Sequence, residues 1–220
     1  MAGSSLEILY EDNHLIAVFK PSGVLVQGDI SGDRCLMDEV KDYLKDKYKK
    51  KGNVFLGLVH RLDRPVAGVV LFAKTSKGAS RISEQIRNRE FNKTYYAVIS
   101  GHMDPPSGKL VDKITKNEGN RVATLSDEGE EAILHYETIK RGEINSLIKI
   151  NLITGRFHQI RIQMASRGYP IIGDKKYGSG ISLNDSQIAL CAVAIEFKKA
   201  TEDELVRVTI DYPKEWDKLL

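Results

Sequence analysis

The chain has 220 residues, 41% of them apolar and 29% charged, with a formal net charge of +3. That length is enough to bury roughly 70% of the unfolded surface in a core, and the balance of apolar and charged residues excludes the disordered and fibrous classes. No apolar run approaches the ~20 residues of a membrane span, the opening residues lack a secretory pattern, and Cys35 and Cys191 are too few for a zinc site or a disulfide framework, which points to reduced thiols in a cytoplasmic protein.

Taken in chain order, residues 6–9 and 14–19 flank Glu11-Asp12-Asn13 and read as a β-hairpin with a polar turn. Leu36, Val40 and Leu44 recur every four residues behind Ser31 and Asp33, which predicts an amphipathic helix running into Lys49-Lys50-Lys51. Residues 54–58 and 69–73 read as strands, with the loop His60-Arg61-Leu62-Asp63-Arg64-Pro65 between them. Thr75 or Ser76 can cap a second helix, which carries Ala79, Ile82 and Ile86 on one face. Residues 95–99 form a β-branched and aromatic strand, and Asp104 to Gly108 break the chain. From 110 to 153 short strands are separated by the polar segments 116–120 and 126–131. Within that stretch Ile148, Ile150 and Leu152 alternate with Lys149 and Asn151.

Gly155 precedes a third helical pattern, Phe157, Ile160 and Met164, which stops at Gly168-Tyr169-Pro170. Val206, Val208 and Ile210 mark a last strand, and Pro213 can open a terminal helix containing Trp216. Strands outnumber helices and do not alternate with them. The pattern predicts an α+β fold with a mixed sheet, in a single domain over residues 1–220.

Charge is more informative locally than globally. Residues 60–93 hold eight basic and three acidic side chains, and residues 156–176 hold five basic ones against Asp174 alone. Residues 196–220 are net acidic. The two basic stretches form one phosphate-binding surface if the fold joins them, and two solvated faces if it does not.

Three polar segments stand apart from the core pattern. In the first, Asp63 is flanked by Arg61 and Arg64, an arrangement that holds a carboxylate ionised, as a nucleophile requires; a surface salt-bridge loop has the same spacing. In the second, Lys93-Thr94-Tyr95-Tyr96, strand alternation sends the two tyrosines to opposite faces, one to the core and one free to meet a base. The third is Gly155-Arg156-Phe157-His158-Gln159-Ile160-Arg161. On a helix His158 and Arg161 share a face, from which Arg161 can reach Asp63, although an ordinary basic helix surface reads the same way.

Together these segments, with Gly68 after the first and Pro170-Ile171-Ile172-Gly173-Asp174 after the third, resemble the RluA-type family of RNA pseudouridine synthases. The opening Ile8-Leu9-Tyr10-Glu11-Asp12 and Phe19-Lys20-Pro21-Ser22-Gly23 are similar too, so the likeness covers roughly residues 7–212. It implies a largely antiparallel mixed sheet with flanking helices and a central catalytic cleft. It also implies isomerisation of uridine in structured ribosomal or transfer RNA, by a monomer, with no metal, no cofactor and no membrane.

By the same resemblance Asp63 is the catalytic carboxylate, Arg161 pairs with it, and Tyr95 lies against the uracil ring and helps remove the C5 proton. Arg61, Arg64, Arg87, Arg89, Lys93, Arg156 and His158 are expected to meet the RNA, with Arg61 filling the space of the flipped base. The sequence departs from the family pattern at Val66-Ala67, where Thr-Ser is frequent, and at Cys191, where histidine is frequent. The chain also begins too close to the catalytic pattern to hold the small S4 domain of many relatives.

Overall fold

The computed structural model describes residues 6–117, 119, 121–183 and 187–220; residues 118 and 120 of the expected polar segment and the first five residues lie outside it. In chain order the elements are β1 (Ile8–Glu11), β2 (Leu15–Lys20), α1 (Leu36–Lys47), β3 (Gly57–Leu58), β4 (Ala67–Ala73), α2 (Ser76–Arg87), β5 (Asn92–Ser100) and β6 (Ser107–Asn117). There follow β7 (Val122–Leu125), β8 (Glu130–Arg141), β9 (Asn145–Leu152), α3 (Gln159–Ala165), β10 (Leu190–Lys198) and β11 (Leu205–Thr209). Short 3-10 turns occupy Lys175–Tyr177 and Lys214–Leu219. The α+β expectation holds.

Chain contacts divide the protein into two compact units, one made of residues up to Phe91 with Ala194–Ile210, the other of Asn92–Val193 with Asp211–Leu220. Strand β10 gives its first half to the second unit and its second half to the first.

In the first unit β2 pairs antiparallel with β1 and with β4, β3 pairs with β4, and β10 pairs with β11. Leu15 to Val18 and Val69 to Ala73 are all fully buried. Such unbroken apolar runs are what a strand covered on both faces requires. Leu15, Ala17, Val69 and Leu71 form a core with Ile82 of α2, Phe91, Ile195, Phe197 and Val208. Helix α2 starts where expected, the Thr75 hydroxyl accepting from the Gly78 amide at 3.1 Å. Gly78 costs helix propensity but permits the approach: a Cβ there would lie 2.7 Å from the His14 carbonyl oxygen.

Three local expectations shift. Helix α1 begins at Leu36, later than the Ser31–Asp33 signal, because the Cys35 amide donates to Asp38 while Asp33 is engaged by Arg64. It ends at Lys47, so Lys49-Lys50-Lys51 follows the helix instead of closing it. Of residues 54–58 only Gly57 and Leu58 join a ladder.

The second unit is an antiparallel series in which β5 pairs with β9, β9 with β8, β8 with β6 and β6 with β7. The alternation at 148–152 becomes β9, with Ile148 and Ile150 buried. Helix α3 starts at Gln159 and not near Phe157, because His158 takes φ 51°, a left-handed conformation outside the helix. The helical-face argument for His158 and Arg161 therefore does not apply. The terminal turn behind Pro213 is 3-10, and it buries Trp216.

Candidate active site

The loop carrying Asp63 is held by backbone ties within the first unit. Leu62 and Val66 are buried on either side of it, and the Val66 amide donates to the Asp63 carbonyl at 3.0 Å, closing a turn. Asp63 is half-buried. Beneath the turn lies Lys20, fully buried, whose ammonium donates to the carbonyls of Pro21 at 3.0 Å, Val24 at 2.7 Å and Arg64 at 3.1 Å. A buried charge requires such partners, and here they are carbonyls from both loops.

Three further bonds run between the same segments: Gly23 amide to Arg64 carbonyl at 2.8 Å, Ser22 hydroxyl to Pro65 carbonyl at 2.7 Å, and Arg64 Nε to Gly23 carbonyl at 2.9 Å. Gly68 pairs with Lys20 across β4 and β2 at φ 133°, and Gly23 turns at φ 84°, conformations that favour glycine. The two motifs of the first unit, 19–23 and 60–68, are thus one tied construction. Sequence reading assigned Lys20 no role; a lysine ending an apolar strand just before Pro-Ser-Gly is the signal it offered.

His60 is structural. Its Nε2 accepts from the Leu71 amide at 2.9 Å, and its ring tilts against Phe91 at 5.3 Å between centroids. Among the described residues no group of three or more His, Cys, Asp or Glu has the spacing of a metal site.

In the second unit Arg161 is 5% exposed and its Nε and Nη2 grip the Asp174 carboxylate at 2.6 and 2.8 Å. This planar two-bond grip suits a guanidinium and is denied to an ammonium. Asp174, the last residue of the Pro170–Asp174 motif, is the carboxylate bound to these two nitrogens. The guanidinium also lies over the Tyr177 ring at 5.1 Å, and the Tyr177 hydroxyl stands 2.8 Å from His158 Nδ1 and accepts from the Ala123 amide at 2.7 Å. His158 and Arg161 therefore meet through Tyr177, not through a shared helix face. His158 is buried and stacks on Phe157 at 3.8 Å, so it sits in the interior of the unit.

Tyr95 is buried on β5 opposite Ile150, and Tyr96 faces the other side against Tyr212 at 5.5 Å. Lys93 is half-buried on the Tyr95 side of β5, and desolvation lowers its pKa below the ordinary lysine value.

The remaining basic residues differ in how far they are committed. Arg61 and Arg87 are exposed without an ion-pair partner among the described residues. Arg89 is exposed at φ 61°, just past the end of α2. Arg64 also reaches Asp33 at 2.9 Å, and Arg156 is paired with Glu130 at 2.9 Å and with the Glu131 carbonyl. Both departures from the family pattern are interior, with Val66 2% and Cys191 1% exposed.

Comparison with known proteins agrees with the family resemblance of the sequence motifs. The family model described as RNA pseudouridylate synthase matches residues 14–166. Ribosomal large subunit pseudouridine synthase C of Escherichia coli K12 is 32% identical over 222 aligned residues, covering 91% of this chain and 65% of the relative. The protein of the same name from Pasteurella multocida is 30% identical, covering 97% and 67%. The solved structure of human RNA Pseudouridylate Synthase Domain Containing 4 superposes with a TM-score of 0.79 over 96% of this chain and 90% of its own, at 23% identity, and so shares the fold. No helix among the described residues is long and apolar enough to cross a membrane. The chain belongs to the RNA pseudouridylate synthase family, in the RluA-type branch that its motifs resemble.

Proposed function

We propose that residues 1–220 act as one catalytic domain, a cytoplasmic monomer that isomerises uridines of structured RNA, ribosomal or transfer, to pseudouridine. Asp63 supplies the essential carboxylate, with Tyr95 and Arg161 in the roles their motifs carry in the family. The N1–C1′ bond breaks, the uracil turns over, and C5 bonds to C1′. The carboxylate acts by attack on the sugar, by attack on the base, or by removing a sugar proton. The target base leaves its stack to be reached. Arg61, Arg64, Arg87, Arg89 and Arg156 make up the proposed phosphate-contacting set, Lys93 borders the target base, and the buried His158 acts from the interior through Tyr177. Arg61 and Arg87, exposed and uncommitted, are best suited to phosphate.

The observation that carries the reading is the Asp63 loop itself. A fully buried lysine donating to the Arg64 carbonyl and three further hydrogen bonds to Ser22 and Gly23 fix the turn that carries the half-buried Asp63. Preorganisation of that kind is what a reacting carboxylate needs.

The test is Asp63→Asn, which keeps size and removes charge. Folding and RNA binding are expected to persist while conversion of uridine, assayed in RNA from cells lacking the enzyme, falls below detection. An Asn variant that still isomerises uridine at an appreciable rate refutes the assignment, provided mass spectrometry excludes deamidation. Release of free uracil by the unmodified protein would instead identify a nucleosidase.

A further inference from the structure

Lys93 is a cation that the fold leaves uncompensated. It is half-buried at the start of β5, opposite Leu152 of β9, and it has no hydrogen-bond or ion-pair partner among the described residues. Burial is the sole influence on its titration, with no carboxylate contributing, and it favours the neutral form. Other shielded cations of the same unit are paired, Arg161 with Asp174 and Arg167 with Asp112. The site is also cleared around the ammonium: Gly155 lacks the Cβ that would stand 3.1 Å from Nζ. A partly desolvated charge with no partner costs stability and persists where something else selects it.

Lys93 and Tyr95 are two residues apart on one strand and point to the same face. Resting on the reading that Tyr95 lies against the uracil ring, we propose that the Lys93 ammonium is the counter-charge for the uracil ring while it is detached from the ribose. In both routes that act on the sugar the electron pair of the N1–C1′ bond leaves with the ring. Meanwhile C1′ bonds to the carboxylate oxygen, or forms a double bond to C2′ as the C2′ proton passes to the carboxylate. The ring carries the negative charge until its C5 bonds to C1′, as the carboxylate oxygen leaves C1′ or the C2′ proton returns from the carboxylate; the C5 proton is then lost and N1 regains one, so the sum is an isomerisation. A fixed cation bordering the ring stabilises that charge where it develops and needs no solvent reorganisation. A carboxylate partner would cancel it, which accounts for the missing partner.

The experiment uses the full chain with Lys93→Met and Lys93→Gln, single-turnover kinetics, RNA affinity and melting temperature. The rate constant is expected to fall about 100-fold, near 2.7 kcal/mol of barrier, with RNA Kd within about threefold of the unmodified protein. Lys93→Met is expected to melt at or above the unmodified protein, since it removes an unpaired desolvated charge. In RNA carrying 5-fluorouridine at the target, where the ring holds negative charge more readily and C5 has no proton to lose, the rate is read as disappearance of the target nucleotide, and the Lys93→Met deficit should shrink by about tenfold.

A rate within about threefold of the unmodified protein overturns the proposal. So does a deficit that lies wholly in Kd with a shallower salt dependence, the mark of a phosphate contact. A lowered melting temperature with activity lost in proportion, or a deficit unchanged by fluorine, overturns it as well. Asp63→Asn is run beside these variants. If that variant is active the proposed function fails, whereas an inactive Asp63→Asn with an active Lys93→Met sinks only the role of Lys93.

Discussion

Replacing Asp174 tests whether the Arg161 grip is a structural anchor as well as part of the site. Arg161 and Asp174 side chains are 6% and 1% exposed, so neither charge reaches water when its partner is removed. The Asp174 backbone cannot retreat. Its amide donates to the Ile171 carbonyl at 3.0 Å, and its carbonyl accepts from Tyr177 and Ser179, each at 3.0 Å. Breaking a buried pair at one end costs about 3–5 kcal/mol, and Asp174→Asn belongs near the lower figure because its amide oxygen can still accept one guanidinium bond.

For a chain of this size each kcal/mol lowers Tm by about 2–4 °C, so Asp174→Asn should melt about 6–12 °C below the unmodified protein. Replacing both partners, Arg161→Met with Asp174→Leu, removes both charges and should recover most of that loss, while pseudouridine formation is lost with Arg161. Calorimetry gives the first comparison and product analysis the second. An Asp174→Asn variant melting within about 2 °C of the unmodified protein would show that the pair carries no net stability and that the reasoning from burial is wrong.

Two further outcomes are expected. RNA affinity should fall steeply between about 50 and 200 mM salt, and replacing Arg87 and Arg89 by Ala should lower the log–log slope by about one to two; an unchanged slope in a titration series removes these residues from the interface. The second concerns Glu11. Burial would raise the Glu11 carboxyl, but hydrogen bonds from Lys47, Lys74, Tyr48 and Tyr43 outweigh it and hold its pKa at about 2, against an ordinary 4.5. A depressed carboxylate contributes stability above its unfolded pKa and loses it as pH falls, so Tm should decline from about pH 4.5 towards 2, and Glu11→Gln should flatten that segment of a pH–Tm series.

The elements with strong periodicity were legible in the sequence: the Thr75 cap, the α2 face of Ile82 and the alternation of β9 stand where the residue pattern puts them, and the β1–β2 hairpin forms with β1 two residues later than its pattern, Glu11 ending the strand instead of opening the turn. What escaped the reading was decided by tertiary partners. Asp33 looked like a cap, but Arg64 claims it and Cys35 with Asp38 starts α1 instead. Phe157 and His158 looked helical by apolar spacing, yet the Gln159 side-chain amide oxygen accepts from the Thr154 hydroxyl and the Arg156 amide, and the helix begins only there. Asp63, Tyr95 and Arg161 were singled out by motif. The supporting roles of Lys20, Asp174 and Tyr177 were not legible, although Lys20 and Asp174 lie within motifs, because a buried ion or a hub hydroxyl announces itself only through neighbours distant in sequence. The missing partner of Lys93 is of the same kind: nothing in a string of residues marks a charge left alone.

The division of β10 between two units has a consequence for how the protein is made. The first unit needs Ala194–Ile210 to complete its core, since Ile195, Phe197 and Val208 pack against Leu15, Val69 and Leu71. At about 5–20 residues per second a ribosome takes roughly 5–20 s to add the intervening hundred or so residues. Throughout that interval the nascent first unit waits with part of its apolar face uncovered and its last ladder unformed. Neither unit is a contiguous stretch of chain, so neither can be cut out by trimming from one end. A pause or truncation anywhere before residue 194 leaves an unfinished sheet, the kind of species that chaperones retain and unpaired edges aggregate.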